Sequence, residues 1–283
     1  MKEHNKYYWE NKKGRAEIAK KHTEEMEQKY SHEIKECVAN TEIHSTQNIY
    51  ELNTNMHGSP RLSLYKTDTV DTLFKCKTDT IAYRGKFALL NFASYKNPGG
   101  GFIIGSRAQE ECLCHESFLY NVLKEFEESY YEVNRKDLNR ALYREKALYS
   151  PDVIFEHDGK VEKCDVITCA SPNFSAAEKF VSREGNNEAM RKRIRFVLEI
   201  AKKKGIDNLI LGAWGCGVFQ QDPEFVANCF VEEINKVLHD VDINIIFAVI
   251  PPLPNQTDNC TPFETAVLQE NMKTITNKEE GAE

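Results

Sequence analysis

The chain has 283 residues, 41% of them apolar and 29% charged, enough for one large hydrophobic core or a core domain with an extension. Its formal net charge of −7 argues against a general nucleic-acid or anionic-membrane surface, while leaving room for an anion held locally by backbone amides. No run reaches transmembrane length, the first residues are polar, and the nine cysteines include no Cys-x-x-Cys pair, so a reduced, cytoplasmic protein is expected.

From Asn11 to Val38 the sequence is rich in Glu, Lys and Ala with few breakers, and reads as one or two charged helices. Apolar runs of strand length follow at Phe87–Ala93, Val166–Ala170, Leu209–Ala213 and Ile243–Ile250. They are mostly unbroken, as expected for strands buried on both faces. Val153–Phe155 and Val161 flank Asp158-Gly159, the signature of a hairpin. Helical patterns occupy Arg107–Glu127, Asn187–Lys204 and Pro223–His239. Strand–helix alternation predicts a three-layer α/β/α architecture with a parallel or mixed sheet. The expected division is an N-terminal helical extension over 1–60, a core over 61–273 and a disordered tail over 274–283.

The loops after the four main strands carry the chemistry. In open α/β sheets, ligands bind outside the carboxyl ends of the strands. After the first comes Asn97-Pro98-Gly99-Gly100-Gly101, then a seven-residue spacer and Gln109-Glu110-Glu111. Three glycines clear a loop of side chains, so that something approaches the backbone or the backbone takes positive φ. Ser106 and Gln109 stand in capping-box spacing, which predicts a helix start near Arg107 with both glutamates in its first turn. Singly, a triple glycine is a flexible loop and first-turn glutamates only favour the helix dipole. Together they point to acid–base chemistry on a small polar substrate. Cys112, Cys114 and His115 lie close in sequence, but helix positions i and i+2 point about 200° apart, so no metal site is expected there.

The third strand runs into Gly212-Ala213-Trp214-Gly215-Cys216-Gly217-Val218-Phe219, followed by Asp222-Pro223, a natural N-cap and first helical residue. Backbone N–H groups at a helix start suit phosphate. The bland alternative is a tight strand-to-helix turn, with Trp214 and Phe219 either core residues or platforms for a ribose or base. Ser171-Pro172-Asn173-Phe174 follows the second strand, and a Pro-rich loop ending near Phe263 follows the last.

Gly-Gly-Gly, seven residues, then Gln-Glu-Glu resembles the signature of the poly(ADP-ribose) glycohydrolases. The run Asn91–Gly101 with Gly105–Glu111 looks like the microbial branch, and Gly212–Phe219 is similar to its diphosphate loop. The resemblance spans about Asn11 to Phe263. It implies a macrodomain fold with added N-terminal helices and no cofactor. It also implies that Glu111 is the catalytic acid, that Glu110 and Asn97 hold the ribose of the scissile unit, and that Gly99, Gly100, Gly101 and Gln109 line the substrate. Gly215, Cys216, Gly217 and Val218 would meet the diphosphate through their backbone, with Phe219 beside the distal ribose. Asn173 receives no role, and the adenine-stacking residue is not identified; Phe102 and Phe263 are candidates.

The implied reaction is hydrolysis of ribose–ribose bonds in poly(ADP-ribose), on ADP-ribosylated proteins, releasing ADP-ribose. Ordinary glycosidases flank the bond with two carboxylates. Adjacent helix residues diverge by about 100° and cannot do so, so one glutamate carries the proton transfers. An acid at neutral pH needs a raised pKa, which burial and a neighbouring carboxylate supply and a helix N-terminus opposes. A mono-ADP-ribosyl hydrolase and a non-catalytic ADP-ribose reader are the alternatives; the intact Gln-Glu-Glu speaks against the reader.

Overall fold

The computed structural model describes residues 11–48 and 58–280; residues 1–10 and 49–57 of the expected extension and 281–283 of the expected tail lie outside them. Among the described residues the order is α1 (Lys12–Lys29), α2 (Ser31–Asn40), β1 (Glu42–Ser45), β2 (Arg61–Tyr65), α3 (Thr69–Thr78), β3 (Phe87–Phe92), α4 (Gln109–His115), α5 (Leu119–Leu123), α6 (Glu132–Arg135), β4 (Lys146–His157) and β5 (Lys160–Cys169). The chain continues with α7 (Phe174–Ala177), α8 (Arg183–Lys203), β6 (Asn208–Leu211), α9 (Pro223–Val237), β7 (Asn244–Ala248) and α10 (Cys260–Glu280). The strands form one sheet in the order β1-β4-β5-β3-β6-β7-β2. It is mixed: β2 and β6 run parallel to β7, whereas β1–β4 and β4–β5 are antiparallel. This is the expected α/β class. Among the described residues, two compact units are each assembled from separated stretches: 11–45, Leu89–Asn139 and Lys146–Ala170 in one, 46–48, 58–88, Arg140–Glu145 and 171–280 in the other.

In the first unit, the β4–β5 hairpin closes through Asp158 and Gly159 at φ 48° and 75°, the positive values a two-residue primed turn requires. The expected single helix over Arg107–Glu127 is instead broken. Residues 116 and 117 leave the helix to meet β4: Ser117 bridges Phe155, and the Glu156 N–H donates to the Glu116 carbonyl. The Ser117 hydroxyl also donates to the Leu113 carbonyl at 2.7 Å, closing α4 with a side chain that competes with the backbone ladder. Helix α1 packs against the loop before α4. Arg15 Nε donates to the Gly105 carbonyl at 2.8 Å, and a Cβ on Gly105 would lie 2.0 Å from the Lys12 carbonyl oxygen.

In the second unit, β6 and β7 are buried along their whole length, matching their unbroken apolar runs. Helix α8 starts at Arg183, four residues before the expected position, because Ser182 caps it by accepting from the Gly185 N–H. Asp222 caps α9 as expected. Buried Glu233 joins α8 and α9. Burial pushes its carboxyl up, but hydrogen bonds from Arg195, Lys236 and Arg191 outweigh this and hold it at about 2. Helix α10 continues to Glu280, through residues read from sequence as a structureless tail. Phe263 is not in the preceding loop. It is buried within α10, with its ring 5.2 Å from that of Phe247.

Candidate active site

The first glycine loop follows β3 and folds back over the start of α4. The expected capping box does not form: Ala108 is the N-cap and makes no side-chain bond. Gln109, expected at the substrate, instead clasps β3, accepting from the Phe92 N–H and donating to the Leu90 carbonyl, both at 2.9 Å. This clasp fixes the rotation of α4 and so aims the next two residues.

Glu110 and Glu111 are both buried. Glu110 Oε2 accepts from the Ser94 N–H at 2.7 Å and Oε1 from Asn91 Nδ2 at 3.1 Å. Burial pushes its carboxyl up to about 8, helped by neighbouring Glu111 and resisted by the bonds from Ser94 and Asn91. Glu111 Oε1 accepts from the Gly101 N–H at 2.8 Å; its Oε2 has no hydrogen-bond partner among the described residues.

The glycines fit these carboxylates. Gly99 and Gly100 have φ of 63° and 60°. A Cβ on Gly100 would lie 2.7 Å from Glu111 Oε1 and 2.8 Å from Glu110 Oε2; one on Gly99 would lie 2.7 Å from the Tyr120 ring. The loop's own N–H groups are largely committed: Gly100 donates to the Asn97 carbonyl, Gly101 to Glu111 and Phe102 to the Gly99 carbonyl. Asn97 is exposed, whereas Phe102 is buried 4.7 Å from the His115 ring and is a core residue. Burial drives His115 down to about 3, so it is neutral. No group of three or more His, Cys, Asp or Glu among the described residues has metal-site geometry.

The second glycine loop, in the other unit, is organised differently. Gly215 sits at φ 78°, and a Cβ there would lie 2.5 Å from Ser171 Oγ. A Cβ on Gly217 would have nothing within 4 Å. The Cys216 N–H, expected among the diphosphate contacts, donates to the Ala213 carbonyl within the turn. Among the described residues, the N–H groups of Gly215, Gly217, Val218 and Phe219 have no acceptor. Val218 is exposed, Phe219 is half-buried beside Tyr143, and Trp214 is a core residue packed near Phe230. This is a cluster of backbone donors suited to an anion.

Asn91, Ser94 and Ser175 join the site only in the folded chain. Asn91 alone had a usable signal, as a polar residue inside the apolar run Phe87–Phe92. Ser94 acts through its backbone, which no residue type announces.

The family model for the microbial-type PARG catalytic domain matches residues 6–158. The chain belongs to this family. Its activity is that of a glycosidase, poly(ADP-ribose) glycohydrolysis. Similar solved structures include the poly(ADP-ribose) glycohydrolase of Thermomonospora curvata, 25% identical with a TM-score of 0.77, over 91% of this chain and 99% of that one. The same enzyme bound to the inhibitor ADP-HPD is 27% identical with a TM-score of 0.76, over 89% and 98%. The Deinococcus radiodurans enzyme in complex with ADP-ribose is 30% identical with a TM-score of 0.72, over 85% and 98%. No curated protein matches the chain. No helix among the described residues is long and apolar enough to cross a membrane.

Proposed function

We propose that this glycohydrolase removes ADP-ribose units from the free end of poly(ADP-ribose), with Glu111 moving the protons and the Gly215–Phe219 loop holding the diphosphate. The observation that carries the first assignment is Glu111 Oε2. Of the four carboxyl oxygens in the pair, it is the one without a hydrogen bond among the described residues. Its partner oxygen, fixed by Gly101, sets its direction. Glu111 gives its proton to the ribose oxygen that leaves as the glycosidic C–O bond breaks. Water then adds to the oxocarbenium-like carbon and returns a proton to the carboxylate. One acetal bond and one water become two sugars bearing hydroxyls, and the glutamate ends as it began.

Glu110 and Asn97 hold the scissile ribose. Burial keeps Glu110 largely neutral at pH 7, so it sets no full negative charge beside Glu111. In the other unit, the free N–H groups of Gly217, Val218 and Phe219 supply donors to the diphosphate. Exo attack is supported by Pro251, Pro252 and Pro254, which stiffen the exposed loop after β7. The nine free cysteines support a cytoplasmic setting, and ADP-ribosylated proteins are the expected partners.

The test is incubation with poly(ADP-ribose) and, separately, with mono-ADP-ribosylated protein. Release from the polymer alone is expected, with mono-ADP-ribose present from the first time point while long chains shorten gradually. Early multi-unit oligomers would overturn the exo assignment. Release from the mono-modified protein alone would overturn the polymer assignment.

A further inference from the structure

The turn Ser171-Pro172-Asn173 and the residues after it grip the second glycine loop at two places. Ser175 Oγ lies 3.2 Å from the Val218 carbonyl, and the Ser175 N–H donates to the Phe219 carbonyl at 3.2 Å. At the other end, Gln221 Nε2 donates to the Pro172 carbonyl at 2.7 Å, and the Gln221 N–H donates to the Gly215 carbonyl at 3.0 Å. The Ser175 hydroxyl has one proton, which it shares between the Val218 carbonyl and Asn173 Oδ1 at 2.8 Å, and the Asn173 side chain also hydrogen-bonds Tyr143. Tyr143 lies in a segment where Arg140, Ala141 and Tyr143 all have positive φ. Such backbone is strained and persists only when the surrounding structure holds it. Here the Asn173 N–H holds the Ala141 carbonyl and Arg193 holds the Leu142 carbonyl.

We infer that Ser175, braced by Asn173, is a positioning residue for diphosphate binding, because it fixes the direction of the loop's free N–H groups. The peptide unit is planar and trans, so its C=O and N–H point opposite ways. Anchoring the Val218 carbonyl to Ser175 therefore turns the Phe219 N–H away from Ser175. The Gln220 N–H does the same for the next donor by holding the Gly217 carbonyl at 3.0 Å, which turns the Val218 N–H outward. Two adjacent donors are thus set before a ligand arrives, so binding costs less ordering. Asn173, without a role in the sequence reading, acquires one as the brace.

The inference rests on the reading that this loop takes the diphosphate, and the test separates the two. ADP-ribose affinity is measured by calorimetry for wild type, Ser175→Ala, Ser175→Thr, Ser175→Val and Gly217→Val. Ser175→Ala is expected to weaken binding about five- to tenfold, with KM for poly(ADP-ribose) raised in step and kcat within about twofold. Ser175→Thr keeps the hydroxyl and restores affinity. Ser175→Val has the shape of Thr without the hydroxyl and stays weak, so the Thr–Val pair decides the matter even where Ala perturbs folding. Equal affinities for Thr and Val, with Gly217→Val unable to bind, would overturn the role of Ser175 alone. Wild-type affinity in Gly217→Val would overturn the reading of the loop.

Discussion

The two glycine loops use the same residue for opposite purposes. At Gly99–Gly101 the glycines admit groups of the protein itself: a Cβ on Gly100 would strike both glutamates. The N–H groups of Gly100, Gly101 and Phe102 are spent inside the protein, the middle one on Glu111. At Gly215–Phe219 the first glycine is likewise required by packing, against Ser171, but Gly217 borders open space and four N–H groups have no acceptor among the described residues. The first loop is finished and encloses a buried pair of carboxylates. The second keeps backbone donors without acceptors among the described residues. A glycine-rich sequence therefore does not say whether it serves chemistry or binding; the fate of its N–H groups does.

The sharpest break between the loops comes from their chemistry. Glu111→Gln keeps the bond from the Gly101 N–H but removes the acid, and kcat should fall by at least about 10²-fold while ADP-ribose affinity changes little. Near-wild-type turnover in a rapid-quench assay would mean that another group carries the proton. Gly217→Val should do the reverse. A saturating ligand at a hundred times its Kd stabilises the native state by about 2.7 kcal/mol, and the resulting rise in Tm should vanish. Without ligand the variant should melt close to wild type, since its Cβ meets nothing within 4 Å. A large Tm loss in the unliganded protein would show that Gly217 is structural after all.

Gly100→Ala tests the finished loop. The added methyl must displace Glu111 Oε1 and Glu110 Oε2 and adopt a φ of 60°. It should lower kcat about tenfold or more and cost about 1 kcal/mol of stability, read from denaturant melts. The matching change Gly217→Ala, where no positive φ or contact is involved, should cost almost none. Similar losses at both positions would erase the distinction between the loops.

Much of this was legible in sequence. The unbroken apolar runs marked β3, β6 and β7, Asp158-Gly159 marked the hairpin, and Asp222-Pro223 marked the start of α9. Strands β1 and β2 and helix α3 were not foreseen, because Glu42–Ser45 and Arg61–Tyr65 are short and only partly apolar; their pairing partners, not their own pattern, make them strands. The break after α4 was hidden because a serine in a helical pattern reveals nothing of the strand it bridges. Gln109 shows the same limit at the site. Its spacing resembled a capping box, but tertiary contact with Phe92 and Leu90 took its amide. Residue identity located Glu110 and Glu111; only the assembled backbone distinguishes the oxygen without a partner among the described residues.

The last expected effect is confined to the pH dependence of stability and concerns Glu110 and the cost of building the finished loop. Its folded pKa is raised from 4.5 to about 8, chiefly by burial. The folded state therefore holds this proton more tightly than the unfolded chain. The contribution to stability is complete below the unfolded value and is lost as pH rises through the folded value, so stability should decline between about pH 5 and 8 and level off above. Glu110→Gln cannot ionise, yet its carbonyl can still accept from the Ser94 N–H. Its NH2 group finds an acceptor in Asn91 Oδ1, which has no partner among the described residues, once the Asn91 amide turns over. The variant should thus match wild type near pH 5 and melt several degrees higher at pH 8, in urea or thermal melts without ligand. The second loop differs, because the N–H groups of Gly217, Val218 and Phe219 do not titrate, and Gly217→Val should leave the pH dependence of stability unchanged. A parallel pH profile for Glu110→Gln and wild type would show that the carboxyl reaches water in the free enzyme, and that the first loop is less closed than its hydrogen bonds make it.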